Sequence, residues 1–99
     1  MIVPVLAEII GTFIFVTVIL NLTTTDNGIF TAVAIGLTLA AVIYFASKAS
    51  LGSMNPAVTL GLFLRGNLDG TTALAYVIAE LIGAVLAFMW WKQVTSKKK

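Results

Sequence analysis

The chain has 99 residues, of which 60% are hydrophobic and 10% charged, with a mean hydropathy of +1.06 and a net charge of +2. A soluble domain carries about 25% charged residues, so this chain lacks the polar surface a water-soluble fold needs and reads as a membrane protein. With no cysteine and no histidine, disulfides, thiolate nucleophiles, the usual general base and the usual metal ligands are all excluded, and no enzyme chemistry, metal or cofactor is expected.

In chain order, the first apolar run covers residues 2–22. Pro4 and Glu8 interrupt it and no basic stretch precedes it, so a span is expected rather than a cleaved signal. A polar turn, TTTDNG over 23–28, leads to a second run at 29–46, and a third lies at 73–91. Each is 18 to 21 residues long, which at about 1.5 Å per helical residue matches a hydrocarbon core of ~30 Å. Asn21-Leu22-Thr23 fits a glycosylation sequon but abuts a span, which argues against its use. The tail 92–99 ends on Lys97, Lys98 and Lys99, a lipid-headgroup anchor rather than a nucleic-acid footprint.

Between the second and third runs, residues 56–64 form a fourth apolar piece of nine residues. It covers only ~13 Å as a helix, enough to reach halfway through a bilayer. Asn-Pro by itself signals a turn, and a surface loop is the plain alternative. The following AVTLGLFL is too apolar to lie in water, which favours a re-entrant half-helix. Asn55 then caps the N-terminus, Pro56 takes the first helical position, where a missing N–H costs nothing, and Arg65 closes the other end.

Small residues recur at helical spacing in all three spans: Ala7 and Gly11; Ala32, Gly36 and Ala40; Ala75, Ala79, Gly83 and Ala87. Lipid supplies no hydrophobic drive between helices, so such stripes predict close helix packing. Two carboxyls, Glu8 and Glu80, lie within spans and must face protein or water. They predict either a proton-coupled site or, the favoured reading, a buttress for the broken backbone beside the half-helix.

Ala7-Glu8-Ile9-Ile10-Gly11-Thr12, Asn55-Pro56-Ala57-Val58-Thr59 and Tyr76-Val77-Ile78-Ala79-Glu80-Leu81-Ile82-Gly83-Ala84 resemble motifs of the first repeat of the aquaporin and glycerol-facilitator family. The resemblance runs from Ala7 to about Trp91. It implies one all-α membrane half-repeat over 1–99, with three transmembrane helices and one re-entrant half-helix. The implied function is a passive channel for water and small neutral solutes such as glycerol, urea or ammonia, in the cell membrane. Asn55, Pro56 and Ala57 would form the pore triplet, with carbonyls from Gly52 to Met54 along the wall.

Counting from Asn55, the family's narrow filter maps to Ile35, Ile43, Gly52 and Val58. The chain departs from the family in having one repeat instead of two, Glu80 where Gln is usual, Ser53 where His is common, and Val58 where the second loop carries Arg. A lone half-helix tip would leave orphan backbone groups facing lipid at several kcal/mol each. An antiparallel homodimer forming one pore is therefore expected, four such dimers matching the family's tetramer. Lys48 and Arg65 on one side against Lys92 and the three tail lysines on the other give a weak charge bias that allows both orientations. Two alternatives stand beside this reading: a proton-coupled transporter of the small multidrug-resistance type, which predicts four full spans, and a fragment or engineered half of a longer channel.

Overall fold

The computed structural model describes residues 1–24 and 28–96. Residues 25–27 of the expected turn and the tail lysines Lys97, Lys98 and Lys99 lie outside the described residues. The fold is all-α, with helices α1 (Ile2–Leu22), α2 (Gly28–Ser50), α3 (Pro56–Leu64) and α4 (Gly70–Ser96). Among the described residues three helices, not four, are long and apolar enough to cross a membrane.

Local chemistry sets the helix ends. Pro4 falls in the first turn of α1, where no backbone N–H is needed, and the ladder opens with Val5 N donating to Met1 O at 3.2 Å. At the other end, polar side chains reinforce the last turns, where Ile19 O also accepts Thr23 N at 3.0 Å. Thr23 Oγ1 donates to Ile19 O at 2.7 Å and Asn21 Nδ2 to Thr17 O at 2.8 Å. The sequon asparagine is thus engaged in closing its own helix.

Two helices run further than the apolar pattern indicates. α2 continues past residue 46 to Ser50, with Lys48 in its last turn, where a cation complements the helix dipole. α4 starts at Gly70 and not at 73, because Asp69 caps it: Thr72 N donates to Asp69 Oδ1 at 2.7 Å. That backbone hydrogen bond from Thr72 holds the Asp69 carboxyl below its ordinary pKa. The 27 residues of α4 extend ~40 Å, enough to carry its ends beyond the hydrocarbon core.

The packing is inside-out relative to a soluble domain. The largest fully buried side chains are Glu8, Glu80, Thr59 and Ser50, while Ile29, Leu37, Tyr44 and Leu64 are among the large apolar ones left exposed. α1 packs against both α2 and α4, and α3 packs on α4. Among the described residues no Cα of α2 comes within 8 Å of α3 or α4, so one flank of the half-helix is open.

The small-residue stripes divide. Ala7, Gly11, Ala79, Gly83 and Ala87 are buried and Ala75 is half-buried. A Cβ at Gly83 would stand 2.7 Å from Ile9 O and 2.9 Å from Thr12 Cβ. Gly83 is where the backbone of α4 comes up against the backbone of α1 at Ile9 and the Thr12 side chain. Ala32, Gly36 and Ala40 are exposed, and a Cβ at Gly36 would meet nothing within 4 Å. Among the described residues the α2 stripe therefore packs no helix. Gly83→Ala is expected to cost about 1–3 kcal/mol by overpacking, and Gly36→Ala to leave the single-chain fold unchanged. Denaturant titration of helicity in detergent micelles checks both.

Candidate functional site

The loop between α2 and α3 is short and tightly curled. Leu51 (φ 69°), Gly52 (φ 64°) and Met54 (φ 57°) are all left-handed. Such a conformation costs a non-glycine residue about 1–2 kcal/mol and persists only where the surroundings hold it. Gly52 is required as well by contact, since a Cβ there would stand 3.0 Å from Ile43 O and 3.1 Å from Ile43 Cγ2. The curl turns the chain back along the end of α2 and lays Met54 against Gly11 of α1. There a Cβ would collide with the Met54 thioether.

Glu8 holds this curl in place. Its carboxylate accepts Ser53 N at 3.1 Å, Met54 N at 2.8 Å and Ser50 Oγ at 2.5 Å. Charge-assisted bonds of this kind are the strong ones, and here they satisfy two loop N–H groups that no helix serves. Thr12 Oγ1 makes a long contact of 3.5 Å with Met54 O. Thr12 is the central residue of α1, so the half-helix tip stands near mid-membrane. Across the tip, Ser53 Oγ bonds Thr59 Oγ1, and Thr59 Oγ1 donates to Glu80 at 2.8 and 3.1 Å. The two buried acids clamp the loop from opposite sides, Glu8 through backbone N–H groups and Glu80 through a hydroxyl chain.

At the tip, Asn55 is the N-cap of α3 and its Oδ1 accepts Ala57 N at 2.8 Å. The residue is exposed, and among the described residues no acceptor within the chain takes its Nδ2. Pro56 occupies the first helical position. The far end of α3 closes with Asn67 N on Leu62 O, Gly66 N on Phe63 O and Gly66 at φ 93°, a paired C-terminal bond that only the glycine makes cheap. Arg65 is the C-cap, and its Nε donates to Asn67 Oδ1 at 2.5 Å.

The expected filter positions are not all in one place. Ile43 and Gly52 are in contact, and Val58, 47% exposed, stands in the first turn of α3. Ile35 is two turns away along α2, ~12 Å by helix rise, and does not join them within this chain. Of the expected wall carbonyls, Met54 O is turned toward Thr12, while Gly52 O receives no hydrogen bond among the described residues. Ser50, Met54 and the Ser53–Thr59 pair as holders of the loop are not evident from the sequence reading. The available signal is that two carboxyls within spans require donors, and these are the polar groups nearest the broken backbone.

The sequence profile of the family described as Major intrinsic protein matches residues 2–99. Aquaporin AqpM of Methanothermobacter marburgensis is 34% identical, covering 93% of this chain and 40% of that protein. Aquaporin Z of Photorhabdus laumondii is 37% identical over 82% of this chain and 38% of its own length. Glycerol uptake facilitator protein-like 6 of Lactiplantibacillus plantarum is 40% identical over 81% of this chain and 38% of its own. The chain thus spans about 40% of the length of the curated relatives it matches. No solved structure matches it. A profile match from end to end, three apolar spanning helices and an Asn-Pro-Ala tip clamped at mid-membrane agree: this integral membrane chain belongs to the major intrinsic protein family.

Proposed function

We propose that the chain conducts water passively, with small neutral solutes such as glycerol, urea or ammonia, through a pore that an inverted second copy completes. One observation carries this reading. Among the described residues the exposed Asn55 Nδ2 has no acceptor, at the N-terminus of a half-helix whose flank toward α2 is open. A helix N-terminus offers free N–H donors and about half a positive elementary charge. Two such tips facing each other would orient a passing water by its oxygen, break the hydrogen-bonded wire that protons need and repel cations, as half-helix dipoles do in aquaporin-type pores. The names of the relatives, aquaporins and a glycerol uptake facilitator, support water and small neutral solutes as cargo. The chain is not an enzyme on this reading, and its site is the cell membrane.

The narrow ring would take Ile35 from one copy and Ile43, Gly52 and Val58 from the other. No member offers a side-chain hydrogen bond, so the ring discriminates poorly and solutes leak. Val58→Arg is expected to cut solute flux several-fold while water flux stays within about twofold, because a fixed cation narrows the ring and leaves the tips untouched. Solute efflux from vesicles checks it, and unchanged solute flux in a folded, water-conducting variant removes Val58 from the ring.

The whole reading is tested by stopped-flow water flux in liposomes holding only this chain, with crosslinking and mass determination in mild detergent. Flux from an even-numbered assembly is the expected result. Flux that appears only when a separate complementary half is supplied would replace the homodimer with a two-chain pore.

A further inference from the structure

Asn55 stands at the exposed tip, yet its own hydrogen bonds tie it to no spanning helix. Its side chain accepts Ala57 N at 2.8 Å and its carbonyl accepts Thr59 N at 2.9 Å, both within the half-helix it caps. The residue before it is anchored instead. Met54 is 2% exposed and Asn55 is exposed, so the chain leaves the interior between the two.

α1 holds Met54 by its N–H, its carbonyl and its side chain. The N–H donates to Glu8 Oε1 at 2.8 Å, the carbonyl receives the 3.5 Å contact from Thr12 Oγ1, and the thioether lies on Gly11. Thr12 Oγ1 also reaches the sulfur, at 3.9 Å. Glu8, Gly11 and Thr12 are spaced i, i+3 and i+4, one face of one helix. A Cβ at Gly11 would stand 2.5 Å from Met54 Cε but 3.8 Å from Met54 Cγ, an ordinary contact. Only the thioether end uses the space that the glycine leaves. That end has no free room to turn into, because Met54 is packed in the buried cluster with Ala7, Val42 and Ala46. Met54 is also left-handed, at φ 57°. Glycine would satisfy that backbone more cheaply, and what methionine adds is the contact with Gly11.

We propose that Gly11 and Met54 are positioning residues that set how far Asn55 reaches from α1, and with it the width of the passage between two facing tips. Asn55 is extended (φ −154°, ψ 127°), so a displacement at Met54 passes through one residue to the amide. A methyl group on Gly11 pushes the thioether off its seat and moves the tip away from α1. In an inverted pair both tips move, and the gap closes from two sides. A width set in this way sorts by size, and solutes broader than water are lost first. The consequence for transport rests on the pore reading; the seat itself does not.

Glycerol efflux and stopped-flow water flux from liposomes holding the full chain test this in wild type, Gly11→Ala, Met54→Ala and the double variant. Gly11→Ala should lower glycerol flux roughly tenfold and water flux no more than about threefold. Met54→Ala, which frees the tip, should raise the glycerol-to-water ratio roughly threefold. Once the thioether is gone the new methyl has nothing to push, so the double variant should stay within about twofold of Met54→Ala. The proposal is overturned if Gly11→Ala shifts the ratio equally in both backgrounds or in neither. Denaturant midpoints of the same proteins in detergent micelles read the seat without the pore. The cost of Gly11→Ala should vanish in the Met54→Ala background, and an equal cost in both overturns the seat. A Gly11→Ala chain that accumulates only together with Met54→Ala is the same rescue. If it accumulates in neither background, Met54→Ala decides, and an unchanged ratio there overturns the proposal. A wild type that conducts neither glycerol nor water refutes the pore reading instead, and the midpoints then decide the seat by themselves.

Discussion

Asn55→Asp is expected to keep the fold and reverse the selectivity of the tip. Asp caps a helix as well as Asn does, so the bond from Ala57 N, 2.8 Å in length with Asn55, survives the change. What changes is the free end of the side chain: the Nδ2 donor becomes a carboxylate oxygen. Against a tip potential of about half a positive charge, a full negative charge turns the net sign. Cations should then enter where they were repelled, and water, no longer met by an amide donor, should pass several-fold more slowly. Ion leak and osmotic shrinkage of the same proteoliposomes measure both effects. Unchanged water flux with unchanged ion exclusion, in a variant whose helicity is intact, would show that Asn55 does not line a pore.

Glu8→Gln is expected to be far more damaging than Glu80→Gln, although both exchange a buried acid for its amide. Glu8 meets three donors, and a glutamine offers one acceptor oxygen and an NH2 group that opposes the donors on its own side. At least one of the Ser53 and Met54 N–H groups is then left buried without a partner, at about 1–3 kcal/mol. The left-handed Leu51 and Met54 lose the contacts that hold them, and the tip should come away from Gly11. Glu80 meets one hydroxyl, which an amide can serve, so its exchange should leave neutral-pH water flux within about twofold. Denaturant midpoints and flux for the two variants side by side check this asymmetry. Equal effects would mean that the loop is not held by Glu8.

Much of this architecture is legible in sequence for identifiable reasons. α1 and α3 have sharp ends in sequence, Pro4 and the polar residues around Asn21 for one, Asn55-Pro56 and Arg65-Gly66 for the other. The ends of α2 and α4 are not legible from hydropathy, because their last and first turns are polar and are held by caps and dipole rather than by lipid. Glu8 and Glu80 declare themselves as buried by charge alone, since neither can face hydrocarbon. Which groups they meet depends on three left-handed residues in the loop, and of these only Gly52 carries a sequence signal.

By itself, the sequence determines a membrane chain with three spans and one half-length helix, because span length and apolar composition are read against the fixed thickness of a bilayer. It also determines the tip, because Asn-Pro ahead of an apolar run is a local capping device. Only the tertiary structure decides which small residues pack. A stripe is a property of one helix, whereas a contact needs a second, and α1 covers Gly83 but leaves Gly36 open. The tertiary structure likewise decides that Glu8 holds backbone while Glu80 holds a hydroxyl. That difference arises where α1, α4 and the curled loop converge, 42 or more residues apart for Glu8 and its partners and 21 for Glu80 and Thr59, beyond the reach of any local pattern.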